Sequence, residues 1–182
     1  MNEAQKKLLA LEESIEVRVQ DIRASRDWWP CRRGCDRCCR QLAQPPELSL
    51  QEWVRIDEAV AALPASIRAE IEQKIDKLLV EIAENTVSSQ VVCPYLDERE
   101  GACRIYEARP IACRTYGYFV ARDGNDYCQI IENELSSRTD TATNIIWGNA
   151  ESIRHEIEKN CGVSIPFDVH YQGLNSRSLG IA

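Results

Sequence analysis

Apolar residues return at helical intervals in four stretches of this chain, and prolines separate the first three. Leu8, Leu9, Leu11, Ile15, Val19 and Ile22 stand among Glu, Arg and Gln, which predicts an amphipathic helix over residues 3–27, closed by Trp28-Trp29-Pro30. Pro45-Pro46 breaks the chain again, and Ser49 followed by Glu52 has the form of a capping box that opens a helix over residues 50–62. Pro64 and Ser66 begin the third, with Ile67, Ile71, Ile75, Leu78, Leu79 and Ile82 along one side, and it fades near Asn85. These two are predicted to form a helical hairpin. Ile146, Ile153 and Ile157 give a fourth helix over residues 144–161, with Gly162 placed to cap it.

After Ser89 the period shortens. Val91-Val92-Cys93-Pro94-Tyr95-Leu96, the turn-forming Asp97 to Gly101, and Ala102 to Tyr106 predict a short irregular hairpin with Pro94 on an edge or at a bulge. Tyr116 to Val120 and Tyr127 to Ile131 flank Arg122-Asp123-Gly124-Asn125 and predict a second hairpin. From Gln172 onward the chain is polar and predicted to be loose. The sum is a mainly α fold with a small irregular β portion (α+β), a helical domain carrying a cysteine-rich metal-binding hairpin region. One domain of residues 1–182 is expected, with a cysteine-cluster core over 28–130 and the N-terminal helix 3–27 and C-terminal helix 144–161 packed on it.

Composition narrows the function. The 182 residues carry a formal charge of -7, so the surface as a whole repels phosphate backbones and nucleic acid is not an expected partner. No secretory leader is legible in MNEAQKKLLALEES, and no apolar run is long enough to cross a membrane. The expected compartment is the reducing cytoplasm. There, nine cysteines point to metal ligands or redox groups rather than disulfides.

The first cluster reads Cys31-Arg-Arg-Gly-Cys35-Asp-Arg-Cys38-Cys39. In a helix, Cys31, Cys35 and Cys38 at i, i+4 and i+7 would share a face, with Cys39 turned about 100° from Cys38. Close thiolates repel unless a cation neutralises them, and soft sulfur suits zinc, Cu(I) or iron–sulfur centres. Arg32, Arg33, Arg37 and Arg40 surround the cluster and are expected to favour deprotonated sulfur. Burial of these cysteines as small apolar residues is the competing reading, but four arginines make the stretch too polar for a core element. Further ligands are available at Cys93 and Cys103, on the two arms of the first hairpin, at Cys113 behind Arg109-Pro110, and at Cys128 in a strand-like run. Pro110 would open a short helix whose positive end lies near Cys113.

Taken together, Cys31-x3-Cys35-x2-Cys38-Cys39, Cys93-Pro94-Tyr95-Leu96, Cys103-Arg104-Ile105-Tyr106-Glu107-Ala108-Arg109-Pro110 and Cys113-Arg114 resemble the YkgJ family of cysteine-cluster proteins, a zinc- or iron-chelating domain (CxxCxxCC). The resemblance covers about residues 28–130. It implicates Cys31, Cys35, Cys38, Cys39, Cys93, Cys103, Cys113 and Cys128, and leaves Cys161 outside the pattern. A related segment occurs in flagellin lysine methylases, so the resemblance also implies protein modification as an alternative, although no added catalytic domain is expected in this chain.

An all-thiolate donor set with irregular spacing and a Cys-Pro step slightly favours an iron–sulfur cluster over zinc. The Cys31-x3-Cys35-x2-Cys38 spacing also matches radical S-adenosylmethionine enzymes, but their large βα barrel has no counterpart in the predicted elements. Eight thiolates suit either one four-ligand site with spare redox cysteines or two such sites. His155 reads as a solvent-facing helix residue and His170 as a tail residue. No phosphate-binding glycine loop, H-E-x-x-H or nucleophile elbow occurs. The aromatic residues around the cysteines are expected to pack against the centre, and Arg109 and Arg114 to pair with Asp97, Glu100 or Glu107. The leading expectation is a metal-binding protein. The alternatives are an iron–sulfur enzyme or accessory acting in redox chemistry or covalent modification of a protein or RNA, and a metal-handling or redox-sensing protein; a protein partner is compatible with all three.

Overall fold

Leu8, Ile15, Val19 and Ile22 form the buried stripe of helix α1 (Glu3–Ala24), the first element of a computed structural model that describes residues 2–24, 26–88, 90–121, 128–138 and 145–178. The fold is mainly α, about 58% helical, with small strands between the helices. The chain forms two compact units, each drawn from separated stretches: Met1–Cys35 with Arg109–Gly162, and Asp36–Ala108 with Val163–Ala182. They are called unit 1 and unit 2.

In unit 1, α1 packs with the short helix α5 (Ile111–Thr115) and with α7 (Ala150–Cys161). Ile111, Tyr118, Phe119, Cys128, Ile131 and Cys161 join the α1 stripe in one apolar core. Glu12 and Arg114, both buried, meet across this core at 3.4 Å, while Arg109 reaches Glu16 at 3.7 Å. Both arginines, expected to pair with Asp97, Glu100 or Glu107, thus meet acids on α1. Strand β4 (Phe119–Val120) pairs in parallel with β5 (Gly148–Asn149). A Cβ on Gly148 would lie 2.2 Å from the Phe119 ring, so this contact requires glycine.

The second predicted hairpin does not form as drawn. Its turn, residues 122–125, lies outside the described residues, and its second arm is helical: Cys128 is the N-cap of α6 (Gln129–Ser136). Ile131 and Leu135, four residues apart, face the core, and a helix buries both on one side while leaving Asn133 exposed, where a strand would turn Asn133 to the core with them. Helix α7 begins at Ala150, with the Asn149 side chain accepting from Ser152 N–H at 3.0 Å, and Gly162 ends it at φ 79°.

In unit 2 the predicted capping box is present. Ser49 Oγ accepts from Glu52 N–H, and Glu52 accepts from Ser49 N–H at 3.0 Å, opening α3 (Leu50–Ala61). Helix α4 (Ala65–Ala83) follows and stops before Asn85, whose φ is 56°. Strand β1 (Glu47–Ser49) pairs antiparallel with β6 (Ser164–Pro166), and Trp53 Nε1 donates to Ile165 O at 2.9 Å. Trp53, Ile56, Ile71, Leu78 and Phe167 are the centre of its core. The stretch expected to be loose from Gln172 instead continues helix α8 (Phe167–Ser178), because Phe167 and Tyr171, four residues apart, bury one face of it against Trp53. Among the described residues, no helix is long and apolar enough to cross a membrane.

Candidate metal centre

The Cys31 to Cys39 stretch is not one helix. Gly34 takes φ 93°, a left-handed turn that no continuous helix tolerates, and only α2 (Arg37–Arg40) is helical. The shared helical face predicted for Cys31, Cys35 and Cys38 is thereby lost. Cys31 and Cys35 belong to unit 1; Cys38 and Cys39 belong to unit 2. All nine cysteines lie among the described residues, and none is in a disulfide.

Unit 2 gathers four of them. The hairpin arms are β2 (Leu96–Asp97) and β3 (Ala102–Cys103), in register Leu96 to Cys103, with Gly101 at φ 63° in the turn. Cys93 stands three residues before the first arm, in a turn closed by Leu96 N–H donating to Cys93 O at 3.1 Å. Helix α2 is tied to this hairpin at several points. Cys93 N–H donates to Cys39 O at 2.7 Å, Leu42 and Val91 form a β-bridge, and Arg40 donates to Glu98 O at 2.7 Å while pairing with Asp36 at 2.5 Å. The Asp36 carboxylate packs on Gly101, where a Cβ would come within 3.1 Å of it. The backbone thus carries Cys38 and Cys39 to Cys93 and Cys103.

The sulfurs respond to one another. The Cys39 thiol is hydrogen-bonded with those of Cys38 and Cys93, and Cys103 adds to its electrostatic surroundings. Its bond with Cys38 lowers its pKa, but the bond to Cys93, burial and the neighbouring sulfur charges outweigh this and push it up to about 12. The bond to Cys39, followed by burial, raises Cys38 further still. This reverses the expected effect of the arginines. Arg37 and Arg40 are exposed, and Arg40 is already engaged by Asp36 and Glu98, so crowding among the thiols decides the sign. Among the described residues, no set of three or more Cys, His, Asp or Glu side chains stands preset as a ligand shell for an ion.

A pH dependence follows from the raised thiol. The folded chain holds the Cys39 proton more tightly than an unfolded chain, whose thiol has the ordinary value of 9.0. That contribution to stability is complete below pH 9.0 and disappears as pH rises toward 12. The denaturation midpoint of metal-free protein, followed by circular dichroism, is expected to fall across this window; a flat midpoint would contradict the crowded-thiol geometry.

Unit 1 holds the other pattern cysteines. Cys31 Sγ donates to Tyr116 O at 3.5 Å, and Tyr118 Oη donates to Cys31 O. Cys31 and Cys128 pack in the same apolar core, Cys113 is exposed on α5, and Cys35 is half-buried at the unit's edge. Trp29 stacks on Tyr118 and lies against Trp28 and Trp147, giving this unit the aromatic surroundings expected near the cysteines. Cys161 is buried in the same core at the end of α7.

Gly117 determines how closely the chain approaches Cys31. Its φ is 86°, and a Cβ there would lie 2.8 Å from Ile131 Cδ1 and 3.3 Å from Cys31 Sγ. Gly117→Ala is expected to cost about 1–3 kcal/mol through backbone strain and overpacking, read as a lower denaturation midpoint. An unchanged midpoint would mean that Cys31 is not held by this turn.

Residues 30–141, more than half of the chain, match the model of the family CxxCxxCC, described as "Putative zinc- or iron-chelating domain". The chain belongs to the CxxCxxCC family. The YkgJ resemblance seen in its cysteines is consistent with that assignment, and metal binding is the property the CxxCxxCC domain carries. No curated protein and no solved structure matches the chain.

Sequence reasoning missed one polar network in unit 2. His170 is half-buried, stacked on Trp53 with centroids 4.4 Å apart, and bonded to Asp57 at 3.1 Å. Beside it, Tyr95 and Tyr171 share a hydrogen bond between their hydroxyls, and burial pushes the Tyr95 hydroxyl well above its ordinary value. The apolar spacing of Phe167, Tyr171 and Leu174 was the available signal for a helix here.

Proposed function

We propose that this chain holds thiolate-ligated metal and that Cys38, Cys39, Cys93 and Cys103 form the centre in unit 2. The observation that carries this reading is the sulfur-to-sulfur bonding of Cys39 with Cys38 and Cys93, brought about by contacts between α2 and the Cys93–Cys103 hairpin. Crowded thiols are costly to ionise alone; a cation that replaces their protons removes this cost. Cys31, Cys35, Cys113 and Cys128, all in unit 1, are proposed as a second all-thiolate set. Residues 1–182 are taken as one functional domain, since each unit is built from two stretches that the other unit interrupts.

An iron–sulfur centre is slightly favoured over zinc. One zinc ion draws four sulfurs to about 2.3 Å from a single point, and structural zinc sites favour Cys-x2-4-Cys knuckles. Cys38 and Cys39 are adjacent, and the four residues are not preset around one ion. A cluster spreads its thiolates over several irons and suits such a set better. In this reading the ligands' direct task is to bind, shield and tune the centre. Cytoplasmic residence accords with nine thiols kept reduced.

Anaerobic purification followed by elemental analysis and a visible spectrum tests the choice. Stoichiometric iron and sulfide with broad absorption near about 400 nm is expected. Colourless protein with stoichiometric zinc would retain the thiolate centre and overturn the cluster; protein without stoichiometric metal would overturn both.

A further inference from the structure

The turn that carries Cys93 is held within unit 2 by three backbone bonds. Cys93 N–H donates to Cys39 O at 2.7 Å, Leu96 N–H closes the turn on Cys93 O at 3.1 Å, and Arg104 N–H donates to Tyr95 O at 3.0 Å. A fourth contact comes from a side chain. Tyr95, the third residue of the turn, is 4% exposed, and its hydroxyl is bonded to the Tyr171 hydroxyl on α8, across 76 residues of chain. Both hydroxyls lie near enough to the Cys93 sulfur to feel its charge. Tyr171 is itself held in place, with its ring 5.6 Å from that of Trp53 and 4.8 Å from that of Phe167 between centroids. Helix α8 lies outside residues 30–141, which match the family, so this bond adds to the cysteine pattern a support that the pattern does not contain.

We propose that Tyr171 is a positioning residue of the metal centre: through the Tyr95 hydroxyl it fixes the Cys93 turn, so that α8 belongs to the centre although it supplies no ligand. The inference rests on the reading of Cys93 as a ligand. Packing alone does not call for two hydroxyls here, because replacing both partners of a buried hydrogen bond by apolar groups of the same shape is nearly neutral for stability. What the bond adds is a single defined arrangement, where two apolar rings could slide past each other. A metal needs that definition, since its ligands must be oriented by the contacts around them.

Metal retained per chain by the anaerobically purified full chain against a titrated chelator, read beside the denaturation midpoint of metal-free protein, tests this role. Tyr171→Phe and Tyr95→Phe each remove one oxygen and keep the ring. Each is expected to weaken metal retention about tenfold. The metal-free midpoint of each falls, because one buried hydroxyl loses its partner. In the double variant both hydroxyls are gone and most of the midpoint returns, while retention stays weak. Ile71→Val, which alters the same core but neither hydroxyl, is expected to lower the metal-free midpoint and leave retention unchanged. If one single variant fails to fold, the other and the double variant decide. Retention that only tracks the metal-free midpoint, with the double variant restored in both, would reduce the bond to packing and overturn the inference. Wild-type retention in both single variants would also overturn it and leave the thiolate centre standing. Wild-type protein without stoichiometric metal would overturn this inference together with the reading of Cys93 as a ligand.

Discussion

Cys39→Ser is expected to strip metal from unit 2 while leaving the metal-free chain folded. Cys39 is the sulfur that meets both Cys38 and Cys93, so no other single substitution removes as many contacts within the set. Serine keeps the carbonyl that accepts Cys93 N–H, so the link between α2 and the hairpin survives. Loss of an outer-shell partner already costs about 10–100-fold in metal affinity, and loss of a direct ligand is expected to exceed that. Metal per chain and thermal midpoint should fall together in loaded protein, with little change in metal-free protein, because binding free energy is also folding free energy. Cys161→Ser is the contrast. It places a hydroxyl in the unit 1 core and lowers stability, but should leave metal content unchanged. Full metal occupancy in Cys39→Ser would remove Cys39 from the ligand set.

Glu12→Ala is the second large effect. Glu12 and Arg114 are each 8% exposed and face each other at 3.4 Å. Arg114 also donates from Nε to Arg109 O at 3.0 Å, so its side chain spans from α5 back to the turn that precedes it. Removing the carboxylate leaves a guanidinium in the core without its counter-charge, and breaking such buried pairs costs about 3–5 kcal/mol. Urea denaturation should show the loss as a lower midpoint with an unchanged slope. Because α5 carries Cys113, the accessibility of that thiol to alkylation should rise in parallel. A loss below about 1 kcal/mol would mean that solvent reaches the pair and screens it, as at exposed ion pairs.

What the sequence revealed follows the range of the forces involved. The α3 capping box depends on Ser49 and Glu52, three residues apart, and the boundaries of α4 depend on Pro64 and the left-handed Asn85; each can be read within one helical turn. The Cys93–Cys103 hairpin was likewise legible from its turn, although Cys93 lies just outside the paired arm. The division of the first cysteine cluster between two units was not legible. It depends on Gly34 turning left-handed and on Asp36, Arg40 and Cys39 finding partners about 60 residues away along the chain. The same distance problem hid the partners that Arg109 and Arg114 find on α1. Cys128 reads as part of a strand because two adjacent isoleucines suit either structure, and burial of Ile131 and Leu135 with Asn133 left exposed resolves the choice in favour of a helix.

X-ray absorption at the metal edge of anaerobically purified protein tests the thiolate centre most directly. The expected spectrum has about four sulfurs per metal atom at roughly 2.3 Å, all of them cysteine thiolates around zinc, or cysteine thiolates together with bridging sulfide and iron–iron scattering beyond them in a cluster. Metal surrounded by oxygen and nitrogen, or a chain that retains no stoichiometric metal, would contradict it.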